Sequence, residues 1–179
     1  MSEELSGYWY VSDTAYGPMV HARLEPGEEN SGRLVAVVRK RARELAEQRG
    51  ARFLVTDGPP GIGCPVISTV SGADLAVAVT EPTLSGLHDL GRVLDVCRHF
   101  RVPAVVCINR YDLHLAGAHG IERECQSRGI PLAGHIPYDP AFTEAIVLGK
   151  PLVEFADGGA SEAVRKVWHE VTQRLEAGE

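Results

Sequence analysis

The feature that most constrains this chain is a series of short, almost unbroken apolar runs, at Arg52–Thr56 (RFLVT), Leu75–Thr80 (LAVAVT), Pro103–Ile108 (PAVVCI) and Leu132–Ile136 (LAGHI). Runs of this length, rich in β-branched residues and without polar alternation, read as strands buried on both faces, as in a parallel sheet. Such strands need cover on each side, and the segments between them supply it. Leu34, Val37, Val38, Ala42 and Leu45 recur at a helical period, with Ser31 a candidate N-cap. Leu87, Leu90, Val93, Leu94, Cys97 and Phe100 repeat the pattern after Ser85, and Val164, Val167, Trp168, Val171 and Leu175 repeat it near the C-terminus. Ala118–Arg128, with Ile121 and Cys125 inward, predicts one more helix, ended by Gly129. Strands alternating with helices imply βαβ units with right-handed crossovers. The predicted fold is α/β: a doubly wound, mainly parallel sheet with helices on both faces. Tyr8–Val11 is a further candidate strand, and Pro26–Gly32 reads as a loop.

At 179 residues the chain fits a single domain spanning 1–179, long enough to bury a core. A formal net charge of −6 argues against a nucleic-acid-binding surface, which needs clustered cations to neutralise phosphate. The basic run Arg39, Lys40, Arg41 and Arg43 is the local exception, and it reads as the solvated face of a helix. No stretch has the ~18–20 apolar residues of a membrane span. The N-terminal MSEELSGYWY has neither a basic region nor an apolar signal core, so the expectation is a soluble, cytoplasmic protein. The four cysteines, Cys64, Cys97, Cys107 and Cys125, form no C-x-x-C pair and are expected as reduced thiols. The seven histidines show no metal-binding helix spacing.

In a doubly wound sheet, ligands bind beyond the carboxyl ends of the strands, so the loops after each apolar run carry the functional information. The first, TDGPPGIGCP from Thr56 to Pro65, sets Asp57 at a strand tip before small residues. That arrangement suits Mg²⁺ held through water beside a phosphate, with Gly61 offering an amide to a phosphoryl oxygen. It is equally a tight turn with Asp57 capping the next helix. The second loop carries Glu81, Thr83 and Ser85, with Ser85 expected to cap the following helix. The third, INRYD, places Asn109 and Asp112 where a side-chain amide can meet a purine edge. It is similar to the Asn-Lys-x-Asp loop of GTPases, except that Arg110 stands in place of the lysine. The fourth, HIPYDP, brings Pro137 to the same region, where loop packing explains it as well.

Taken together, the blocks GPMVHARL, EENSGRLV, DGPPGIGCP, VTEPTLSGLHDL, VCINRYDL and IPYDP resemble the MinD/ParA-type deviant-Walker ATPases. The nearest subgroup is the one with an inserted ferredoxin module, a CobQ/CobB/MinD/ParA nucleotide-binding domain. The resemblance runs from about Gly7 to Trp168. It implies a P-loop NTPase-like fold that binds ATP and Mg²⁺ and dimerises face to face. By the same resemblance Asp57 is the switch carboxylate near Mg²⁺ and Gly61 the γ-phosphate contact. Asn109 is then the adenine reader, with Pro137 and Asp139 flanking the base. Cys64 sits seven residues after Asp57, the offset at which the related nitrogenase iron protein places a cluster cysteine. An iron–sulfur ligand and a buried structural cysteine are the two readings it leaves open.

The family's Lys-Gly-Gly-x-Gly-Lys-Thr phosphate loop and the ferredoxin cysteines have no counterpart here, Gly149-Lys150 being the one Gly-Lys pair. The sequence therefore resembles the C-terminal portion of a longer protein, lacking the P-loop strand that runs between the strands ending at Asp57 and Thr80. No ATP hydrolysis is expected from this chain alone. Either a partner chain supplies that strand, or Tyr8–Val11 fills the gap, or the isolated chain is unstable; the expected partners are an N-terminal P-loop fragment or a homodimer. Function reads as the C-terminal part of a MinD-like ATPase coupled to an iron–sulfur or redox partner, or as a non-catalytic scaffold or dimerisation module.

Overall fold

In the computed structural model, which describes residues 7–24 and 32–178, the chain forms two compact units divided after Ser71.

The second unit is built around three parallel strands in the order β3 (Ala76–Thr80), β4 (Ala104–Asn109) and β5 (Leu132–Ile136). The runs Leu75–Thr80, Pro103–Ile108 and Leu132–Ile136 thus form the expected parallel sheet, with ends moved by no more than a residue. β4 is central, and Val105, Val106, Cys107 and Ile108 are at most 1% exposed, which is what a strand covered on both faces requires. Helices α3 (Leu84–His99), α4 (Leu115–Arg128) and α7 (Gly159–Ala177) flank the sheet. Leu90, Leu94 and Cys97 are the buried stripe of α3, and Ala118, Ile121 and Cys125 that of α4. Gly129 ends α4 with φ +65°, a left-handed conformation that glycine adopts without Cβ strain. α7 packs on β5, where Val171, Val167 and Leu175 meet Ala133, Val105 and Leu75. The short helices α5 (Ala141–Val147) and α6 (Leu152–Phe155) lie between β5 and α7 and have no strong periodic signal in the sequence.

Among the described residues β3 is an edge strand. Val77 and Val79, on one face by the two-residue alternation, are 40% and 63% exposed, while Thr80 is buried. β5 carries a bulge: Val106 pairs with Leu132 and Cys107 with Gly134, so Ala133 is the extra residue.

The first unit holds an antiparallel hairpin of β1 (Gly7–Thr14) and β2 (Gly17–Leu24), followed by α1 (Gly32–Arg49) and α2 (Cys64–Val70). Tyr8–Val11 is indeed a strand, but its ladder partner is β2, and it does not join the parallel sheet. Ser31 and most of the Pro26–Gly32 loop lie outside the described residues. The basic run on α1 is not wholly solvated. Arg39 donates to the carbonyls of Ser68 and Ser71, the latter at 2.7 Å, tying α1 to the end of α2. Burial, with the charge of Arg43 added, pulls its guanidinium below the usual arginine range.

Arg52–Thr56, expected as a strand, is not one. A strand exists only where a neighbour completes its ladder, and among the described residues none pairs with this segment. Leu54 and Val55 are left uncovered, 45% and 76% exposed.

Candidate functional site

In the second unit, close backbone packing builds the strand-end loops. After β3 the chain turns through Glu81 and Pro82 into α3, and Thr83 caps that helix by accepting from the Gly86 N–H at 2.9 Å. Ser85, the expected cap, is instead inside the first turn, where its hydroxyl meets that of Thr83 at 3.2 Å. Thr83 wins because the cap must lie just before the first helical residue with extended backbone, and its φ of −115° and ψ of 162° provide that. Glycines let the loop approach both helices. A Cβ on Gly86 would stand 2.4 Å from the Glu81 carbonyl oxygen, and one on Gly117 would stand 2.4 Å from that of Pro82. His114 completes the joint: Gly117 N–H donates to its Nδ1 at 3.1 Å, capping α4, and the same ring atom lies 3.1 Å from the Pro82 carbonyl oxygen.

At the end of β4, Asn109 is half-buried and opposite Ile136. Arg110 follows with φ 51° and ψ 38°, a left-handed conformation that costs a residue with a Cβ about 1–2 kcal/mol. Its guanidinium reaches back to Glu81, with Nη1 3.3 Å from Oε1, so an ion pair spans the carboxyl ends of β3 and β4. Asp112, in the one-turn 3₁₀ helix Tyr111–Leu113, accepts the Tyr138 N–H at 2.8 Å. That bond joins the loop after β4 to the loop after β5, which holds Pro137 and Asp139. Asp139 accepts from Ala141 N–H at 2.9 Å and so organises the entry to α5. Asn109, Pro137 and Asp139 therefore sit on two adjoining strand-end loops that a backbone tie holds together.

In the first unit, Asp57 is exposed at the end of the Arg52–Thr56 segment. Gly61 has φ +89°, a conformation glycine takes readily. Cys64 is the first residue of α2 and exposed. An exposed carboxylate oxygen is a suitable hard donor to hydrated Mg²⁺. The thiols do not build a cluster site, because Cys97, Cys107 and Cys125 are buried and a cluster takes four thiolates. Burial drives all three buried thiols above their usual range, Cys107 to about 11. No group of three His, Cys, Asp or Glu among the described residues is placed to hold a metal ion.

Several residues at these loops carried no sequence signal. The bulge at Ala133 turns His135 away from the α7 side, where Ala133 packs, so that its Nε2 meets Glu122 Oε1 of α4 at 2.8 Å. His135, Glu122, His119 and Tyr111 line an open cleft of about 240 Å³. The Arg110–Glu81 pair was likewise invisible, because neither a backbone torsion nor a cross-strand contact is written in either residue alone.

No protein-family model matches the chain. An uncharacterized protein of Methanocaldococcus jannaschii is 35% identical over 105 residues, 59% of this chain and 36% of the relative. An iron–sulfur cluster carrier protein of Pyrococcus abyssi is 30% identical over a stretch covering 69% of this chain and 46% of its own. Among solved structures, the septum site-determining protein MinD of Pyrococcus horikoshii, complexed with Mg-ADP, superposes with a TM-score of 0.64. It is 23% identical, and the match covers 83% of this chain and 60% of MinD. The chain spans 36% and 46% of the length of these two curated relatives. It has the fold of the MinD ATPases and sequence similarity to iron–sulfur cluster carriers. No helix among the described residues is long and apolar enough to cross a membrane.

Proposed function

We infer that this chain is the switch-loop and base-reading part of a MinD-like ATP-binding and ATP-hydrolysing unit that serves an iron–sulfur or redox partner. In this reading Asp57 orients the water shell of Mg²⁺ and Gly61 offers its amide to the γ-phosphate. Asn109 reads the adenine edge, and Pro137 and Asp139 flank the base. Mg²⁺, when bound, would neutralise phosphate charge; the chain's own contribution is to place donors and acceptors around the nucleotide. Phosphate binding needs a cradle of backbone amides and a lysine, and a P-loop supplies both. We assign that role to a P-loop strand on an N-terminal fragment, with a homodimer as the active assembly. Cys64 supplies at most one thiolate per chain, so cluster handling passes through a second copy or the partner.

The observation that carries the reading is the open edge of β3. Its sequence is AVAVT, without charge or proline, and edge strands are normally blunted by such residues. Among the described residues β3 lacks both a ladder partner on one side and cover over Val77 and Val79 on one face, so it is a strand of interior character beside the loop that holds Asn109.

The test is nucleotide titration, ATP against GTP, of the chain with and without a P-loop-bearing N-terminal fragment. Saturable ATP uptake and Mg²⁺-dependent turnover only in the mixture, lost in Asp57→Ala, is the expected result. A mixture that forms a stable complex yet takes up no nucleotide would instead establish the scaffold function.

A further inference from the structure

The open cleft between α4 and β5 has no part in the nucleotide reading. Its floor is the buried Ala118 with Leu115 beside it, and its walls are Tyr111, His119, Glu122 and His135. Because a carboxylate accepts and does not donate, His135 carries its hydrogen on Nε2 and donates it to Glu122 Oε1 at 2.8 Å. The Tyr111 ring stands against that of His135, with centroids 5.4 Å apart and planes at 71°. These contacts hold the carboxylate and two aromatic walls in a fixed relation. Glu122 is nevertheless 37% exposed, and its Oε2 has no hydrogen-bond partner among the described residues. The neighbouring cation on α4 is drawn elsewhere. Arg123 turns toward Gly120, its Nη2 3.9 Å from where a Cβ on that glycine would stand. Gly120 is two residues from Glu122, about 200° around the helix and so on its far side.

A carboxylate set among aromatic rings above an apolar floor has the chemistry to take a cation carried on a hydrocarbon stem. The Tyr111 ring attracts positive charge, Leu115 and Ala118 offer apolar surface to methylenes, and Glu122 accepts charge-assisted hydrogen bonds. A guanidinium fits this set better than an ammonium. It is planar and weakly hydrated, so it can stack on a ring while its N–H groups meet a carboxylate, whereas a lysine ammonium is a compact, strongly hydrated charge. Size identifies the source. Sites for whole small molecules are typically about 300–1,000 Å³ and enclose most of the ligand. This cleft is smaller, about 240 Å³, and open, which suits one side chain inserted from outside. We propose that the cleft between α4 and β5 is a docking site for an arginine side chain of a partner protein, with Glu122 as its anion and Tyr111 as its stacking face. The strand order β3-β4-β5 puts this contact at the opposite end of the sheet from the β3 edge.

The test needs no nucleotide. N-acetyl-arginine amide, its neutral isostere N-acetyl-citrulline amide and N-acetyl-lysine amide are each titrated into the full chain, and the ring signals of His119 and His135 are followed by NMR. The arginine derivative should shift both saturably, the lysine derivative should bind more weakly, and the citrulline derivative should leave them in place. Glu122→Gln keeps an acceptor for the His135 Nε2–H, so the walls stay where they are while the charge is lost. It should melt with wild type and weaken the arginine derivative about tenfold, the scale of one hydrogen bond to a charged group. Tyr111→Leu should weaken it about threefold, as an exposed cation–π contact would. No saturable shift with the arginine derivative, equal affinity for the citrulline or lysine derivative, or undiminished arginine binding by Glu122→Gln would each overturn the proposal. Ring signals that move with protein concentration alone, and cease to do so in Glu122→Gln, would put the arginine on a second copy of this chain and overturn a separate partner.

Discussion

Gly86 and Gly91 lie in the same helix, α3, yet the structure gives their replacement by alanine opposite signs. On helix propensity alone each change should stabilise by about 1 kcal/mol, since glycine is that much poorer than alanine in a helix interior. At Gly91 the new Cβ would meet the Arg128 guanidinium Nη2 at 3.3 Å, the far end of a flexible side chain that can step aside. Gly91→Ala should therefore stabilise by about 0.5–1 kcal/mol. At Gly86 the Cβ would lie 2.4 Å from the Glu81 carbonyl oxygen, with the hydroxyls of Thr80 and Thr83 each at 3.0 Å. Both sides of that contact are anchored: Gly86 N–H donates to Thr83 at 2.9 Å, and its carbonyl accepts from Thr80 at 3.1 Å. Relieving the overlap costs about 1–3 kcal/mol as overpacking, and each displaced hydrogen bond adds about 1 kcal/mol. Against the propensity gain, Gly86→Ala should be destabilising by about 1–3 kcal/mol. Urea unfolding followed by far-ultraviolet circular dichroism reads this directly, because at ~1–3 kcal/mol per molar a 2 kcal/mol loss moves the midpoint by roughly 1 M. A Gly86→Ala midpoint at or above that of wild type would show that the loop after β3 is not held by close packing on α3.

Three further outcomes follow from the same structure. Thr83→Ala should destabilise by about 1 kcal/mol through loss of the cap, with Thr83→Ser near wild type and Ser85→Ala well below that loss; equal losses at 83 and 85 would contradict the assignment of the cap. Among the thiols, native protein at pH 8 should react rapidly with a disulfide reagent at Cys64 alone, and at all four cysteines once unfolded. The Cys107 thiol, driven by burial from an ordinary 9.0 to about 11, also sets a sign: the unfolded chain ionises first, so stability falls as pH rises through that interval. The loss amounts to roughly 2–3 kcal/mol, and Cys107→Ala should flatten that part of the stability–pH curve.

The parts of the fold legible in the sequence are those where local pattern and tertiary burial agree. Pro103–Ile108 reads as a doubly covered strand, and β4 is the most buried strand of the sheet. Gly129 reads as a helix stop and is one. Where two residues compete for one role, the sequence does not decide: Thr83 and Ser85 both suit a cap, and only the extended backbone at Thr83 settles it. Leu132–Ile136 reads as a strand, but the bulge that separates Ala133 from His135 depends on the register with Val106 and Cys107, which is a property of two strands. The candidate site divides the same way. Asn109, Pro137 and Asp139 could be placed at strand ends from sequence, whereas the Asp112 bond that joins their loops could not.

Arg52–Thr56 is the instructive failure, because the reading of its residues and the structure are both internally consistent. RFLVT has the composition of a strand hidden on both sides, yet Val55 is 76% exposed and no ladder forms. β3 shows the same mismatch in milder form, with an interior sequence and Val79 63% exposed. A free strand of this character is a liability for aggregation, and proteins that leave an edge open blunt it with charge, proline or a bulge. None of these devices is present at Ala76–Thr80. Hydropathy records the environment a segment occupies in its working assembly, whereas exposure records the environment it has in this chain. At β3 the uncovered face adds to the unpaired edge, and it is the unblunted edge that argues for a neighbouring strand. It also gives the complementation experiment a structural control: Val79→Pro should leave the chain folded by itself, since Ala76 N–H bonds Pro103 beside β4 and by alternation that of Val79 faces the open edge, but weaken its complex with the P-loop-bearing fragment. Undiminished complex formation by Val79→Pro would place the partner's strand elsewhere than on the β3 edge.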